Sequence, residues 1–102
     1  MSREIYVGIM LQNGQLNVAT LDKATMKPLS MTFPSTHFGL QAVHILLSRY
    51  CQAAHLAIAI AGVKSLELAL ALQTLINTQI FIVSSHCANQ AKDLAIYAKH
   101  AA

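Results

Sequence analysis

The sequence predicts an α/β domain: a five-stranded mixed sheet with helices on both faces. Three observations predict it. Short apolar runs of strand length recur along the chain. The first two are joined by Asn13-Gly14, the strongest short hairpin signal, because that turn needs positive φ at both central positions. After Pro34 the runs alternate with stretches whose leucines fall at helical spacing, the pattern of β-α-β units.

Taken in order, the first strand alternates Ile5, Val7, Ile9 and Leu11 against Tyr6, Gly8 and Met10. Both sets are largely apolar, which places this strand in the sheet centre, covered on both faces. The second strand covers Gln15 to Leu21. The third, "LSMTF", sets Leu29, Met31 and Phe33 against Ser30 and Thr32, so one face is wet and the strand suits a sheet edge. Pro34 stops it. Ser35 or Thr36 then offers an N-cap oxygen to a helix carrying Leu40, Val43, Leu47 and Tyr50 and running to about Gln52. "HLAIAIAG" is a fourth strand. Ser65 caps a second helix reaching about Asn77. "QIFIVSS" is a fifth strand, and a third helix runs from Cys87 to the C-terminus. The β-β-β-α-β-α-β-α order gives an antiparallel meander followed by two right-handed parallel crossovers.

A chain of 102 residues makes one domain, residues 1–102, large enough to bury a core without staples. It is 55% hydrophobic and 11% charged, which excludes disorder and leaves apolar surface to be covered. No apolar run approaches the roughly 18 residues of a membrane span. The N-terminus lacks a signal-peptide layout, so a cytoplasmic protein without membrane contact is expected. The net charge of +3 comes from scattered basic residues, which permits weak DNA or RNA contact without arguing for it. Two cysteines are too few for a disulfide framework.

The segment "VGIMLQNGQLNVATLD" resembles the opening "G-I-D-x-S-x-x-x-L-D-V-A" of an insertion-sequence transposase family that includes the pilin-gene-inverting (Piv-like) recombinases. The nuclease domain of that family is ribonuclease H-like and related to RuvC-type resolvases. "TFPSTHFGLQAVHILL" is similar to the family's approach to its first helix, "AIAIAGVKSLELALAL" to its "V-x-M-E-x-T-G" strand end, and "IFIVSSHCANQAKDLAIYAKHAA" to its last strand and helix. The resemblance covers the whole chain. It implies strand order 3-2-1-4-5, with the first and fourth strands adjacent and parallel at the centre. It also implies where the family's catalytic acids would stand: at Met10, at Ala59, and at Ala101 or Ala102. None of these can ligate a metal.

Cleavage by this fold resembles two-metal hydrolysis, with ions roughly 4 Å apart clamping the reacting oxygens. Magnesium needs oxygen ligands, and carboxylates supply them. Glu4 lies six residues from Met10 along one strand, roughly 20 Å away. Asp22 ends the second strand, and Asp93 is expected mid-helix. Glu67, opening the second helix, is the one remaining acid expected near the old site, and one acid does not hold two metals. A non-enzyme with no metal or cofactor is expected, a transposase-related domain that acts through self-association or weak nucleic-acid contact.

Other patterns compete. The Ser84–Cys87 strand end could cradle an anion or nucleotide on free helix amides, or present Cys87 as a nucleophile beside His86 in a small hydrolase. The same residues are ordinary capping and packing chemistry. The actin and sugar-kinase superfamily shares the opening hairpin and binds phosphate at its turn, but it also needs a first-strand acid. The five histidines show no metal-ligand spacing. The helix "SLELALALQTLIN" carries one stripe of Leu68, Leu72 and Leu75 and another of Leu66 and Leu70. Both stripes cannot face the sheet, so Leu66, Leu70 and Gln73 are candidate interface residues of a homodimer or higher assembly.

Overall fold

The computed structural model describes residues 3–12, 14–24, 27–62, 65–84 and 90–101. Their order is β1 (Glu4–Gln12), β2 (Gln15–Asp22), β3 (Pro28–Pro34), α1 (His37–Ala53), β4 (His55–Gly62), α2 (Ser65–Leu72), β5 (Thr78–Ile82) and α3 (Ala91–Ala101). The sheet has the expected order β3-β2-β1-β4-β5. β1 pairs antiparallel with β2 and parallel with β4; β3 and β5 are the edges. Gly14, in the turn between β1 and β2, has φ +71°. Its turn partner Asn13 lies outside the described residues. Among the described residues no helix is long and apolar enough to cross a membrane.

The two faces of the sheet differ in side-chain size, and the alternation along each strand sets that difference. In β4, Leu56, Ile58 and Ile60 point to one face and Ala57, Ala59 and Ala61 to the other. The large face adds Ile5, Val7, Ile9, Leu16 and Val18 and is closed by Val43, Leu47 and Cys51 of α1 with Leu68 and Leu72 of α2. The small face holds Tyr6, Met10, Ala19 and Leu21 and is closed by α3 through Ala91, Leu94, Ala95 and Ala98. Small residues on both surfaces let that helix lie close. A Cβ added at Gly8 would stand 2.0 Å from the Ala91 carbonyl oxygen and 2.5 Å from the Ala95 nitrogen.

Local chemistry fixes the ends. Thr36 is the α1 N-cap, its Oγ1 accepting from the Gly39 amide at 3.3 Å. The second helix stops at Leu72, short of the expected Asn77. The chain tightens there into turns, with the Gln73 amide on the Leu70 carbonyl and the Leu75 amide on the Leu72 carbonyl. Asn77 then adopts φ 51°, and its carbonyl accepts from the Leu56 amide, which aims the chain into β5. Leu75 still packs on the core, from a turn instead of a helix. At the start of α3, Asp93 Oδ2 accepts from the Gln90 amide at 3.3 Å; the expected start at Cys87 lies outside the described residues. β3 is wetter than its alternation predicts. Leu29 is 60% exposed and only Met31 and Phe33 are half-buried.

Candidate functional site

The positions that the resemblance assigns to catalytic acids begin on β1. Met10 is buried on the α3 face, across from Asn17 of β2 and Ala61 of β4. Ala59, the expected neighbour, lies on the same face but stands across from Gly8. The ladder therefore sets Ala61, two residues further on, directly against Met10. The third position does not converge with these. α3 runs antiparallel to β1: Gln90 and Lys92 share a cavity with Gln12 and Asn17, whereas Lys99 shares one with Leu21 and Pro28, beside Tyr6. Ala101 thus stands at the Tyr6 end of the sheet, and Ala102 is outside the described residues.

Next to Met10, at the C-terminal end of β1, is a cavity of about 250 Å³ lined by Gln12, Asn17, Ser30, Thr32, Gln90 and Lys92. Asn17 Oδ1 accepts from Thr32 Oγ1 at 3.1 Å. Amides, hydroxyls and one ammonium can hydrogen-bond an anion or a sugar edge, but they offer no carboxylate to a hard cation. Glu67 does not supply one. It lines a different cavity with Leu11, Thr36 and Leu40, on the face closed by α1 and α2, so the sheet separates it from Met10. Asp93, expected mid-helix, is exposed in the first turn of α3. Among the described residues no three His, Cys, Asp or Glu side chains converge as metal ligands.

The other two acids sit at the opposite end of the sheet, in ion pairs. Arg3 donates through Nε at 2.9 Å and through its terminal nitrogen at 2.6 Å to Asp22 Oδ2, and the Ala24 amide donates to Oδ1. Glu4 Oε2 receives Tyr6 Oη at 2.9 Å and Lys23 Nζ at 3.0 Å. Glu4 and Tyr6 also line a cavity of about 390 Å³ with His55, Ala57, Asn77 and Gln79. The signal for the Glu4–Lys23 pair is the two-residue Asn13-Gly14 turn, which sets Gln12 against Gln15 and so carries Lys23 back beside Glu4.

The pairs make a pH prediction. The Lys23 hydrogen bond first, then that of Tyr6, holds the Glu4 carboxyl below its ordinary value. Arg3 first, then the Ala24 amide, does the same for Asp22. Depressed carboxyl pKa values contribute stability that is present above the ordinary value of about 4 and is lost as pH falls through the lower folded value. Carboxyl-carbon NMR titrations are expected to place both midpoints below the ordinary ones. Lys23→Met should raise that of Glu4 and leave Asp22 unmoved. An ordinary Glu4 midpoint in the unsubstituted protein would show that the pair does not form.

Of the competing Ser84–Cys87 strand end, only Ser84 is described; it is exposed just beyond β5. The described cysteine, Cys51, is buried and donates its thiol to the Ser48 carbonyl. The candidate interface residues divide as the two leucine stripes predict. Leu66 and Leu70 are 61% and 58% exposed and Gln73 is exposed, while Leu68 and Leu72 are buried. Comparison with models of known protein families gives no match, and comparison with curated proteins gives none either.

Proposed function

We propose that the chain is a catalytically silent, ribonuclease H-like domain related to the RuvC-like part of the transposase family described above, and that it works through self-association, with at most weak nucleic-acid contact. One observation carries the reading. At the centre of a 3-2-1-4-5 sheet, where β1 runs parallel to β4, the two positions that the resemblance assigns to acids on these strands, Met10 and Ala59, both face α3 and are both apolar. Two-metal cleavage needs carboxylates there. A thioether is a soft ligand unsuited to magnesium, and a methyl group is no ligand. Methionine instead fills the irregular space under the helix.

The nucleic-acid part rests on a modest positive surface. Arg3 and Lys23 are held in ion pairs, whereas Lys92 and Lys99 flank an apolar cavity between α3 and the β2–β3 hairpin. Few phosphate contacts mean a small counterion-release term, so affinity fades at moderate salt. Pure protein with magnesium or manganese is expected to leave branched and single-stranded DNA intact and to bind it more weakly than about 1 μM at physiological salt. Metal-dependent cleavage that Glu67→Ala abolishes would overturn the silent-domain reading. Sub-micromolar binding that survives physiological salt would overturn the weak-contact part.

A further inference from the structure

We propose that the open edge of β5 pairs antiparallel with β5 of a second copy of this chain, with the exposed side chains of α2 closing over the seam. This rests on the self-association reading above and assigns it a surface. β5 pairs with β4 on one side, and among the described residues no strand meets its other side. The ladder determines which groups are free. The Asn77 carbonyl accepts from the Leu56 amide and the Val83 amide donates to the Ile60 carbonyl, so the odd-numbered residues of the strand turn their polar backbone groups toward β4. By alternation, the N–H and C=O groups of Thr78, Ile80 and Ile82 point to the open edge. A twofold axis through Ile80 lets that residue exchange both hydrogen bonds with its own copy, and Thr78 with the second copy's Ile82.

The two edges of the sheet are treated differently. β3 begins and ends in proline and follows Lys27, which are ordinary devices against edge pairing. β5 has neither. From Leu68 through Ala91 the chain carries no Lys, Arg, Asp or Glu. That neutrality selects the occupant. Nucleic acid or a charged protein would find nothing to pair with, whereas a twofold contact brings the same segment of both copies together, where like charges would repel. The area also suffices. Leu66, Leu70, Ile76 and Ile82 are each more than half exposed. At roughly 100 Å² apiece they supply about half of the 800 Å² or so that each partner gives to a standard interface. The backbone edge with Gln73, Thr78 and Gln79 supplies the rest. Antiparallel pairing about an axis normal to the sheet keeps both α2 helices on the same face, next to one another.

Two variants and one measurement test this. Ile80→Pro removes an outward N–H and leaves the bonds to β4. Leu70→Lys charges the helix surface. In sedimentation or light scattering across a concentration series, the wild type is expected to dimerise, and each variant to raise the dissociation constant by about tenfold or more. A dimer that Leu70→Lys weakens and Ile80→Pro leaves intact would overturn edge pairing while keeping self-association. A wild type that is monomeric at every concentration would overturn both. If Ile80→Pro does not fold, hydrogen exchange on the wild type decides: the amides of Thr78, Ile80 and Ile82 should slow as concentration rises, and unchanged exchange overturns the proposal.

Discussion

Replacing Gly8 with valine is expected to cost about 3 kcal/mol or more of folding stability, in the upper part of the overpacking range. Backbone, not flexible side chain, occupies the space a Cβ would need. The Ala91 carbonyl oxygen and the Ala95 nitrogen both stand closer to it than any real contact, with Leu94 Cβ at 2.7 Å. Relief requires moving all of α3 off the sheet, which would loosen Met10, Ala19, Ala59 and Leu94 together, since they form one cluster. In a domain of this size a loss of about 3 kcal/mol lowers Tm by roughly 12 °C or more. Gly14→Ala is the control. It has open space but a positive φ, so its cost is about 1 kcal/mol. Thermal melts of both variants test the close seat of α3, and a Gly8→Val protein melting with the wild type would show that the helix does not lie there.

Met10→Asp is expected to be nearly as damaging, for an electrostatic reason. Met10 is 3% exposed among Ala59, Ala61 and Leu94, with no described cation in that cluster. A carboxylate there loses its water with no cation in the cluster to offset the loss, a cost of several kcal/mol at neutral pH. Desolvation disfavours the charged form, so the folded-state pKa rises above the unfolded value of about 3.9. The sign follows. The folded protein holds the proton longer, so the variant loses stability as pH rises from about 4 through the raised folded value. Urea unfolding at pH 4 and pH 7 should show the larger deficit at pH 7. Met10→Leu, nearly equal in volume, should cost less than about 1.5 kcal/mol at both. Magnesium is expected to leave the aspartate variant no more stable, because Ala61 across the ladder offers no second ligand. A magnesium-dependent rise in stability would show that the acid site is one substitution from function and would weaken the silent-domain proposal.

The central place of β1 and the split of α2 into a buried and an exposed stripe could be read from the chain, because each follows from a local period, whereas the strand order was an expectation of the family resemblance. A strand repeats every two residues and a helix every 3.6, so the pattern states which side chains share a face. The alternation of Leu56, Ile58 and Ile60 with Ala57, Ala59 and Ala61 already encodes a large face and a small one. Local pattern does not encode how far one strand slides along the next. Sliding β4 by two residues keeps every side chain on its own face, so Ala59 and Ala61 are equivalent partners for Met10 until the ladder is formed. For the same reason the chain does not announce that Ala101 lies at the Tyr6 end or that Glu67 is across the sheet from Met10. Those placements depend on the direction of α3 over its bed of alanines and on the packing of α2 beyond β4, both of them contacts between residues far apart in sequence. The amino-acid order determined which faces exist, and only the packed tertiary structure decided which residues meet across them.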